Sequence, residues 1–196
     1  MLTACVKFSK YYTMKTPFKV ENITDRIAES TLIPDAISRF MSHSAKLIDS
    51  KQYFHEQSGI LFMEMKMGND AEGPPDHVHG GFTSAILDEV MGGAAWCNGY
   101  PVLAANINVS LRKSIPLNET FYCAGRAERI DTRRIYTAGQ IIDAEGKLYT
   151  SATAVFIRIP EAILIRSNKR FARFAAFNSM RKNGHTVSEI MLAGQA

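Results

Sequence analysis

This sequence of 196 residues has little of the chemistry that builds metal centres or disulfide frameworks. It contains three cysteines, which are far apart in the chain, odd in number and not arranged as a Cys-x-x-Cys pair. Such a set predicts neither a zinc site nor a disulfide scaffold and is typical of a reducing compartment. The three are Cys5, Cys97 and Cys123. We expect Cys97 and Cys123 to be core residues rather than nucleophiles, and we expect no metal and no cofactor.

Long apolar segments are also missing. No run approaches the roughly 20 apolar residues that a membrane-spanning helix needs. The first 19 residues, MLTACVKFSKYYTMKTPFK, lack the continuous apolar core of a secretory signal. They contain lysine and hydroxyl residues without any acid, as organelle transit peptides do, but no arginine. We therefore expect a cytoplasmic protein and leave organelle targeting by this basic segment open.

The excess of basic residues, formally +4, lies at the two ends of the chain. Residues 1–20 carry four lysines and no acid, and residues 160–196 carry six basic residues against two acids. No nucleic-acid recognition motif accompanies this charge, so we expect no nucleic-acid partner. Phe171, Phe174 and Phe177 recur every three residues in the basic tail. This spacing predicts an amphipathic helix that packs on the domain, on a partner or on a membrane surface.

The pattern of apolar residues predicts an α+β domain. Residues 34–50 have apolar positions near helical spacing, with Pro34 suited to a first turn. A loop rich in glycine and proline separates the first two predicted strands from a helix over 80–98. Alternating or β-rich stretches predict strands at 52–57, 59–68, 101–113, 120–131, 134–143 and 147–159. The order favours an antiparallel sheet packed on the central helix.

We divide the chain into three parts on this basis. Residues 1–33 form an N-terminal extension, residues 34–160 the domain, and residues 161–196 the basic C-terminal tail. The extra N-terminal helix belongs to the domain part, and a helical tail follows the last strand.

The central helix contains an acid without a helical ion-pair partner. Between Gly80 and Asn98 the only charged residues are Asp88 and Glu89, and there is no lysine or arginine. Successive residues lie about 100° apart on a helix, so the two acids face different directions. Asp88 is either the edge of an exposed stripe or a carboxylate lining a cleft. In the cleft, burial would raise its pKa and make it a better base.

The residues His79-Gly80-Gly81 begin this helix. A helix N-terminus has unpaired N–H groups, and glycines let a ligand approach them closely. Such a site can polarise a carbonyl. Eight residues separate Gly80 from Asp88, about 12 Å along the axis, which is too far for both to act on one atom. An antiparallel second subunit could supply its own acid, and the site would then be shared at a dimer interface.

Three segments together resemble the hotdog-fold acyl-CoA thioesterases, in particular the phenylacetate-pathway type. They are GPPDHVHGGFTSAILDEVMG, AANINVSLRKSIPL and LYTSATAVFIRI, and the resemblance covers about residues 52–159. It implies a hotdog fold, in which an antiparallel sheet wraps a long helix. It also implies dimers, or dimers of dimers, with active sites at the subunit interface and acyl-CoA as substrate.

The resemblance implies a role for each of the helix residues described above. Asp88 would act as general base on water or as nucleophile at the thioester. The amides of Gly80 and Gly81 would polarise the thioester carbonyl, and His79 would help to position it. An alternative is a non-catalytic hotdog protein that binds acyl-CoA as a sensor or interaction module, although such a binder gains nothing from an unpaired carboxylate.

The sequence departs from this branch at two places. A Thr or Ser that helps to hold the attacking water aligns with Ala104 here, and we consider Ser84 or Asn106 as substitutes. Gly73 and its prolines stand where other branches have an Asn before the His-Gly-Gly motif.

Several other polar residues are weaker candidates. Arg112 and Lys113 end a predicted strand and would either contact the phosphates of coenzyme A or form a solvated strand end. His77 and His79 lie two residues apart beside Asp76, without a well-spaced further ligand. We therefore expect no metal at this loop.

Overall fold

The computed structural model describes residues 18–33, 47–166 and 168–193, and side chains within them except over 165–174. The elements in chain order are α1 (Ile23–Ala28), β1 (Thr31–Ile33), β2 (Ile48–His55), β3 (Ile60–Met67), α2 (Gly80–Cys97), β4 (Val102–Leu111), β5 (Thr120–Ile130), β6 (Arg134–Ile142), β7 (Leu148–Arg158), α3 (Glu161–Arg166), α4 (Asn168–Lys182) and α5 (Val187–Ala193). A short 3-10 turn over Asn69–Ala71 lies between β3 and α2.

The seven strands in the described ranges form one antiparallel sheet, in the order β1-β2-β3-β5-β6-β7-β4. The long helix α2 packs on one face of this sheet, mainly over the central strands β5 and β6. This architecture confirms the α+β class and the hotdog arrangement that the resemblance implies. The strand β4 lies at one end of the order, so one of its edges carries no strand in the described part of the chain.

Two glycines let α2 lie directly on the sheet. A Cβ at Gly125 of β5 would lie 2.8 Å from the carbonyl oxygen of Val90, and one at Gly139 of β6 would lie 2.8 Å from Cγ of Met91. Both distances are far shorter than a van der Waals contact. At Gly125 the close atom belongs to the backbone, so only glycine permits the approach there, whereas at Gly139 it belongs to a flexible side chain. Ten of the 18 residues of the helix are buried.

Each strand divides its side chains between the two faces of the sheet. In β3, Leu61, Met63, Met65 and Met67 belong to the core under α2, whereas Phe62 belongs to a second cluster on the outer face. This agrees with the alternation predicted for residues 59–68. The outer cluster consists of Phe18, Ile23, Phe62, Tyr122, Ala124, Ala138 and Ile142. The N-terminal segment thus covers the face of the sheet that α2 leaves open.

The predicted helix over 34–50 is wrong at its C-terminal end. Residues 34–46 lie outside the described residues, but Ile48–Ser50 belong to β2, where they pair with Met65–Met67 of β3. Pairing with β3 buries Ile48 in the core under α2. The helix α1 and the three-residue strand β1 were not predicted; both lie within the segment assigned to the N-terminal extension.

The C-terminal tail is helical, as predicted, and part of it packs on the domain. Phe177 and Val187 contact the core under α2. Arg181 forms an ion pair with Glu56 of the β2–β3 turn, and the other oxygen of Glu56 accepts a hydrogen bond of 3.0 Å from the amide of Val187. The side chains of Phe171 and Phe174 lie outside the described part. The tail is therefore attached through Phe177 and a shared carboxylate.

Two of the cysteines are core residues, as predicted. Cys97 and Cys123 are fully buried and unbonded, and burial raises the pKa of Cys97 to about 12. Cys5 lies outside the described residues. Among the helices that the structure describes, none is long and apolar enough to cross a bilayer.

Candidate active site

The loop before α2 is held in place by backbone hydrogen bonds on both sides. The amide of Val78 donates to the carbonyl of Ile115 at 2.9 Å, and that of His79 donates to Ala71 at 2.8 Å. His77 forms a β-bridge with Pro116. The loop is thus fixed between the 3-10 turn and the segment after β4. This explains why a glycine- and proline-rich stretch places His79 at a defined point of the helix start.

His79 is the N-cap of α2, and its side chain occupies one of the helix amides. Its Nδ1 accepts a hydrogen bond of 3.0 Å from the amide of Gly81. A ring nitrogen that accepts a hydrogen bond carries no proton, so in a neutral imidazole the proton lies on Nε2. Nε2–H is then a donor that points away from the cap. The amide of Gly80 has no acceptor among the described residues.

Gly80 lies under Leu111, the last residue of β4. A Cβ at Gly80 would be 2.8 Å from Cδ1 of Leu111. Leu111 nevertheless remains 56% exposed. An apolar side chain thus covers one side of the unpaired amide while its own outer surface stays open. The sequence analysis did not predict this contact, because it depends on the end of one element meeting the start of another.

Asp88 lies two turns further along α2 and is half-buried. It makes no hydrogen bond or ion pair with any residue in the described ranges, and burial raises the pKa of its carboxyl above the ordinary value. Of the two interpretations left open by the sequence, this favours the carboxylate lining a cleft over the exposed stripe. A carboxylate with a raised pKa is a stronger base than one in water.

Ser84 lies between these two groups on α2. Its hydroxyl donates a hydrogen bond of 2.9 Å to the carbonyl of Gly80, one turn earlier. The proton of the hydroxyl is therefore engaged, but its oxygen can still accept a hydrogen bond. Of the two proposed substitutes for the hydroxyl missing at Ala104, Ser84 lies on the helix itself.

A β-bulge in β4 changes the faces expected for its residues. Ala104 pairs with Phe156 and Ile107 with Ala154, whereas Asn106 pairs with Val155, because the register shifts at residue 105. Directly paired residues point to the same face of a sheet. Phe156 contacts α2 at Gly92, so Ala104 and Ile107 lie on the helix face and Asn106 on the outer face.

Strict alternation over the predicted strand 101–113 would put its odd-numbered residues from Leu103 to Leu111 on one face, and before the bulge this is wrong. Leu103 pairs with Ile157 and lies on the outer face with Asn106, while Ala104 lies on the face of α2. The physical reason is that a bulge inserts one unpaired residue and shifts the alternation by one position. Within its own chain, Asn106 points away from the helix that carries Asp88.

Arg112 and Lys113 follow directly after Leu111 and are exposed. The Nε of Arg112 donates a long hydrogen bond of 3.3 Å to Oγ of Ser151 on β7. The Nζ of Lys113 lies 5.9 Å from the centre of the Tyr149 ring. Two cations thus lie at the end of the strand whose last residue covers Gly80. The remaining donors of Arg112 are open to a ligand.

The structure brings His79, Gly80 and Gly81 together with Leu111, followed by the two cations. It places Asp88 away from this group and Asn106 on the other face. At the neighbouring loop, His77 Nδ1 lies 2.8 Å from the carbonyl oxygen of Pro75. Within the described ranges, no three His, Cys, Asp or Glu side chains are arranged to hold a metal ion.

Sequence reasoning missed a contact that positions His79. A Cβ at Gly73 would lie 2.7 Å from Cα of His79 and 3.1 Å from Cδ2 of its ring. Gly73 thus allows the loop to pack against the cap residue. A glycine six residues before the motif was the available signal, but its partner could not be identified without the loop path.

The chain is similar in sequence and fold to known thioesterases. Residues 76–150 match the model of the thioesterase superfamily. The chain is 35% identical over 91 residues to acyl-coenzyme A thioesterase THEM4 of Xenopus laevis, covering 45% of this chain and 40% of that one. It is 33% identical over 153 residues to THEM4 of Rattus norvegicus, covering 64% and 65%. The chain thus spans between two-fifths and about two-thirds of the length of these relatives.

A crystal structure of a thioesterase superfamily protein superimposes with a TM-score of 0.53 at 29% identity. The superposition covers 55% of this chain and 53% of that protein. The matched family region, 76–150, contains the cap residue His79, the two glycines, Asp88 and the strand that ends at Leu111. The residues that the geometry groups together are therefore those that the family comparison covers.

Proposed function

We propose, since the chain belongs to the hotdog-fold thioesterase superfamily, that it hydrolyses the thioester of an acyl-CoA to a free carboxylic acid and coenzyme A. The observation that carries this proposal is Asp88, a half-buried carboxylate without a partner in the described part of the chain. Keeping an unpaired carboxylate away from water lowers stability. A role in the reaction explains why the helix retains it.

Polarisation of the thioester carbonyl is assigned to His79 and Gly80. The Gly80 amide is unpaired, whereas the Gly81 amide already donates to His79 Nδ1. This hydrogen bond leaves Nε2–H of His79 as the second available donor. The geometry thus favours Gly80 and His79 as the groups that stabilise the developing oxyanion, with Gly81 holding the imidazole in its tautomer.

Asp88 then activates the attacking water. The carboxylate accepts a proton as the water oxygen bonds to the carbonyl carbon, and the C=O electrons move to the oxyanion. When the oxyanion collapses, the C–S bond breaks, and the thiolate of coenzyme A leaves and is protonated. Direct attack by Asp88 would instead expel the thiolate of coenzyme A and form a mixed anhydride, which water would hydrolyse. Single turnover in oxygen-18 water tests this route, because the Asp88 carboxyl gains label only when water attacks the Asp88 carbon of an anhydride.

The proposed site needs two chains. Gly80 and Asp88 lie about 12 Å apart along one helix, which is beyond the reach of a single reacting carbonyl. A second subunit with an antiparallel α2 would place its Asp88 opposite the first chain's Gly80. The open edge of β4 supports such an interface, because Leu103 and Leu111 leave 65% and 56% of their surface exposed. We propose a homodimer or a dimer of dimers.

Coenzyme A is proposed to lie along the end of β4. Arg112 and Lys113 would bind its phosphates, and the exposed surface of Leu111 would contact the chain next to the thioester. Ser84 would accept a hydrogen bond from the attacking water in place of the hydroxyl absent at Ala104. Asn106 would contact substrate only from the outer face of the sheet.

The deciding experiment compares Asp88→Asn with Glu89→Gln, the neighbouring acid on another side of the helix. Thiol release is measured on short, long and aromatic acyl-CoAs, and binding is measured by calorimetry. We expect Asp88→Asn to lower turnover at least about 100-fold with binding retained, as for removal of a general base. Glu89→Gln should change turnover little. Unchanged turnover in Asp88→Asn would remove this residue from the mechanism.

A second candidate is a protein that binds acyl-CoA without hydrolysing it. The observation that favours it is Ala104, which lies on the helix face and has no hydroxyl to hold water. Tight acyl-CoA binding by the wild-type chain without thiol release from any substrate would establish this second function. Asp88-dependent release would exclude it.

A further inference from the structure

A cavity of about 800 Å³ lies on the outer face of the sheet, away from α2. Its position follows from the alternation of β6, in which Gly139 contacts Leu87 and Met91 of α2. Gln140 and Ile142 therefore point to the opposite face, where they line the cavity. The cavity is thus separated from Gly80 and Asp88 by the sheet itself. Small-molecule sites have volumes of roughly 300–1,000 Å³.

Both walls of the cavity are held by contacts that need no ligand. On one side, the ring of Phe18 lies 4.3 Å from the guanidinium of Arg126 and is buried in the outer cluster. On the other side, Oδ1 of Asp143 accepts hydrogen bonds from the amides of Glu145 at 3.1 Å and Lys147 at 2.8 Å. These bonds fix the β6–β7 turn, so the cavity is preformed.

The lining combines apolar side chains with two acceptors, the amide oxygen of Gln140 and the carboxylate of Glu145. The apolar part consists of Phe18, Val20, Ile23, Ile142 and Leu148. Gln140 is only 2% exposed, and its Oε1 is buried without a hydrogen-bond partner. At the rim, the carboxylate of Glu145 forms no ion pair within the described ranges, whereas Lys19 and Glu21 pair with each other. A buried amide oxygen without a donor is uncommon in folded proteins.

From this lining we infer that the cavity binds an aliphatic primary amine, with its chain against the apolar wall and its ammonium group donating to Gln140 and Glu145. An ammonium group has three donors and no acceptor, which complements an amide oxygen without a hydrogen-bond partner and a carboxylate without an ion pair. The unpaired charge of the lining is negative, because the Lys19 charge is balanced by Glu21. A fatty carboxylate, such as the product of thioester hydrolysis, has the wrong charge for this cavity.

The test titrates the full chain with octylamine, octanol and octanoate by calorimetry. We expect saturable binding of octylamine, with octanoate at least about 10-fold weaker because its carboxylate can only accept hydrogen bonds and would meet two acceptors, one of them negatively charged. The Asp88→Asn variant should bind octylamine as wild type does, since the cavity is on the other face. Octanoate binding as tightly as octylamine, or no saturable octylamine binding, would overturn the inference.

Two variants locate the site. Gln140→Leu keeps the size of the side chain, removes the acceptor and should weaken octylamine about 10-fold. Glu145→Gln lies on an exposed turn, leaves the core intact and should weaken it roughly 3- to 5-fold, as for an exposed ion pair. Glu119→Gln, an exposed acid that does not line the cavity, is the matched control and should bind normally. Wild-type affinity in both Gln140→Leu and Glu145→Gln would contradict the assignment.

Discussion

The two ends of α2 are stabilised in different ways. At its start, Gly81 is exposed, Gly80 is half-buried with an unpaired amide, and one imidazole provides the cap. At its end, Cys97 is fully buried, and the side chain of Asn98 donates to the carbonyls of Gly59 and Ala94, each at 2.8 Å. The first end leaves polar groups unpaired, and the second pairs them across the fold.

The C-terminal end of α2 therefore anchors the helix in the fold, whereas the N-terminal end carries the groups proposed for catalysis. Two segments bind to the β2–β3 turn. Asn98 donates a hydrogen bond to the carbonyl of Gly59, and the C-terminal tail contacts the carboxylate of Glu56. His55, the last residue of β2, is buried, and its Nε2 lies 3.6 Å from a carboxylate oxygen of Glu29, which follows α1. Three distant parts of the chain are thus joined at the C-terminal end of α2. The N-terminal end can then keep an unpaired amide and an unpaired carboxylate without loss of the fold.

The largest expected effect on stability comes from a substitution that moves α2 away from the sheet, because both ends of the helix would then be displaced together. In Gly125→Ala, the new Cβ would lie 2.8 Å from a backbone oxygen of Val90 that cannot move independently. We expect a loss of about 3 kcal/mol in the free energy of unfolding. Gly139→Ala is the matched control, because there the close atom belongs to the flexible side chain of Met91. Urea denaturation should rank Gly125→Ala as clearly the less stable, and equal losses would contradict the backbone argument.

The next effect should be confined to the anchoring end. Glu56→Ala removes the ion pair with the largely buried Arg181 and the bond to the Val187 amide. We expect a loss of about 2 kcal/mol in stability, while turnover per folded molecule stays unchanged. Glu161→Ala, which breaks the exposed ion pair with Lys182, should cost less than about 0.5 kcal/mol. A large loss of turnover in Glu56→Ala would show that the two ends are coupled.

A smaller effect on stability should accompany a large one on activity at the other end. His79→Ala removes the cap bond to Gly81 and should cost about 1 kcal/mol. His79→Asn restores a side-chain acceptor at the N-cap and should recover most of that stability. Turnover should stay low in both variants, because neither supplies the Nε2–H donor. Recovery of turnover in His79→Asn would show that His79 acts only as the helix N-cap.

The smallest effect is a gain in stability. Because burial raises the pKa of Asp88 in the folded chain, the unfolded chain ionises first as the pH rises. The contribution of this carboxyl to stability is therefore greatest below its ordinary pKa of about 3.9 and is lost as the pH rises through the folded value. Asp88→Asn should be more stable than wild type at neutral pH and equal to it in acid. Urea denaturation at the two pH values tests this.

Much of the fold was predictable because the elements have strong periodicity. The helix over 80–98 and the four long strands after it match the structure within two residues, since each is a long stretch with helical spacing or β-rich composition. The elements α1 and β1 are six and three residues long, too short for a period to show. The start of β2 was missed because an apolar Ile48 suits the end of a helix as well as a strand. Only its pairing with Met67 of β3 distinguishes the two, and that pairing is not visible in the sequence.

The site was predictable at the level of residues but not of hydrogen bonds. The sequence shows that Asp88 has no cation on its own helix, but only the structure shows that no other described element supplies one. The engagement of the Gly81 amide by His79 depends on a side-chain rotamer, and no pattern reports it. The contact of Leu111 with Gly80 and the outward direction of Asn106 depend on strand register, which the bulge shifts.

The bulge at residue 105 also makes β4 a strand with two phases. Before it, even-numbered residues face the helix, and after it odd-numbered residues do. Deletion of Ala105 would remove the bulge and leave a regular ladder, in which Ala104, Ile107 and Leu111 all keep the face of α2. The inserted residue thus adds one position between the helix-facing alanine and the cationic strand end, and the pairing with β7 absorbs it without changing which side chains meet α2.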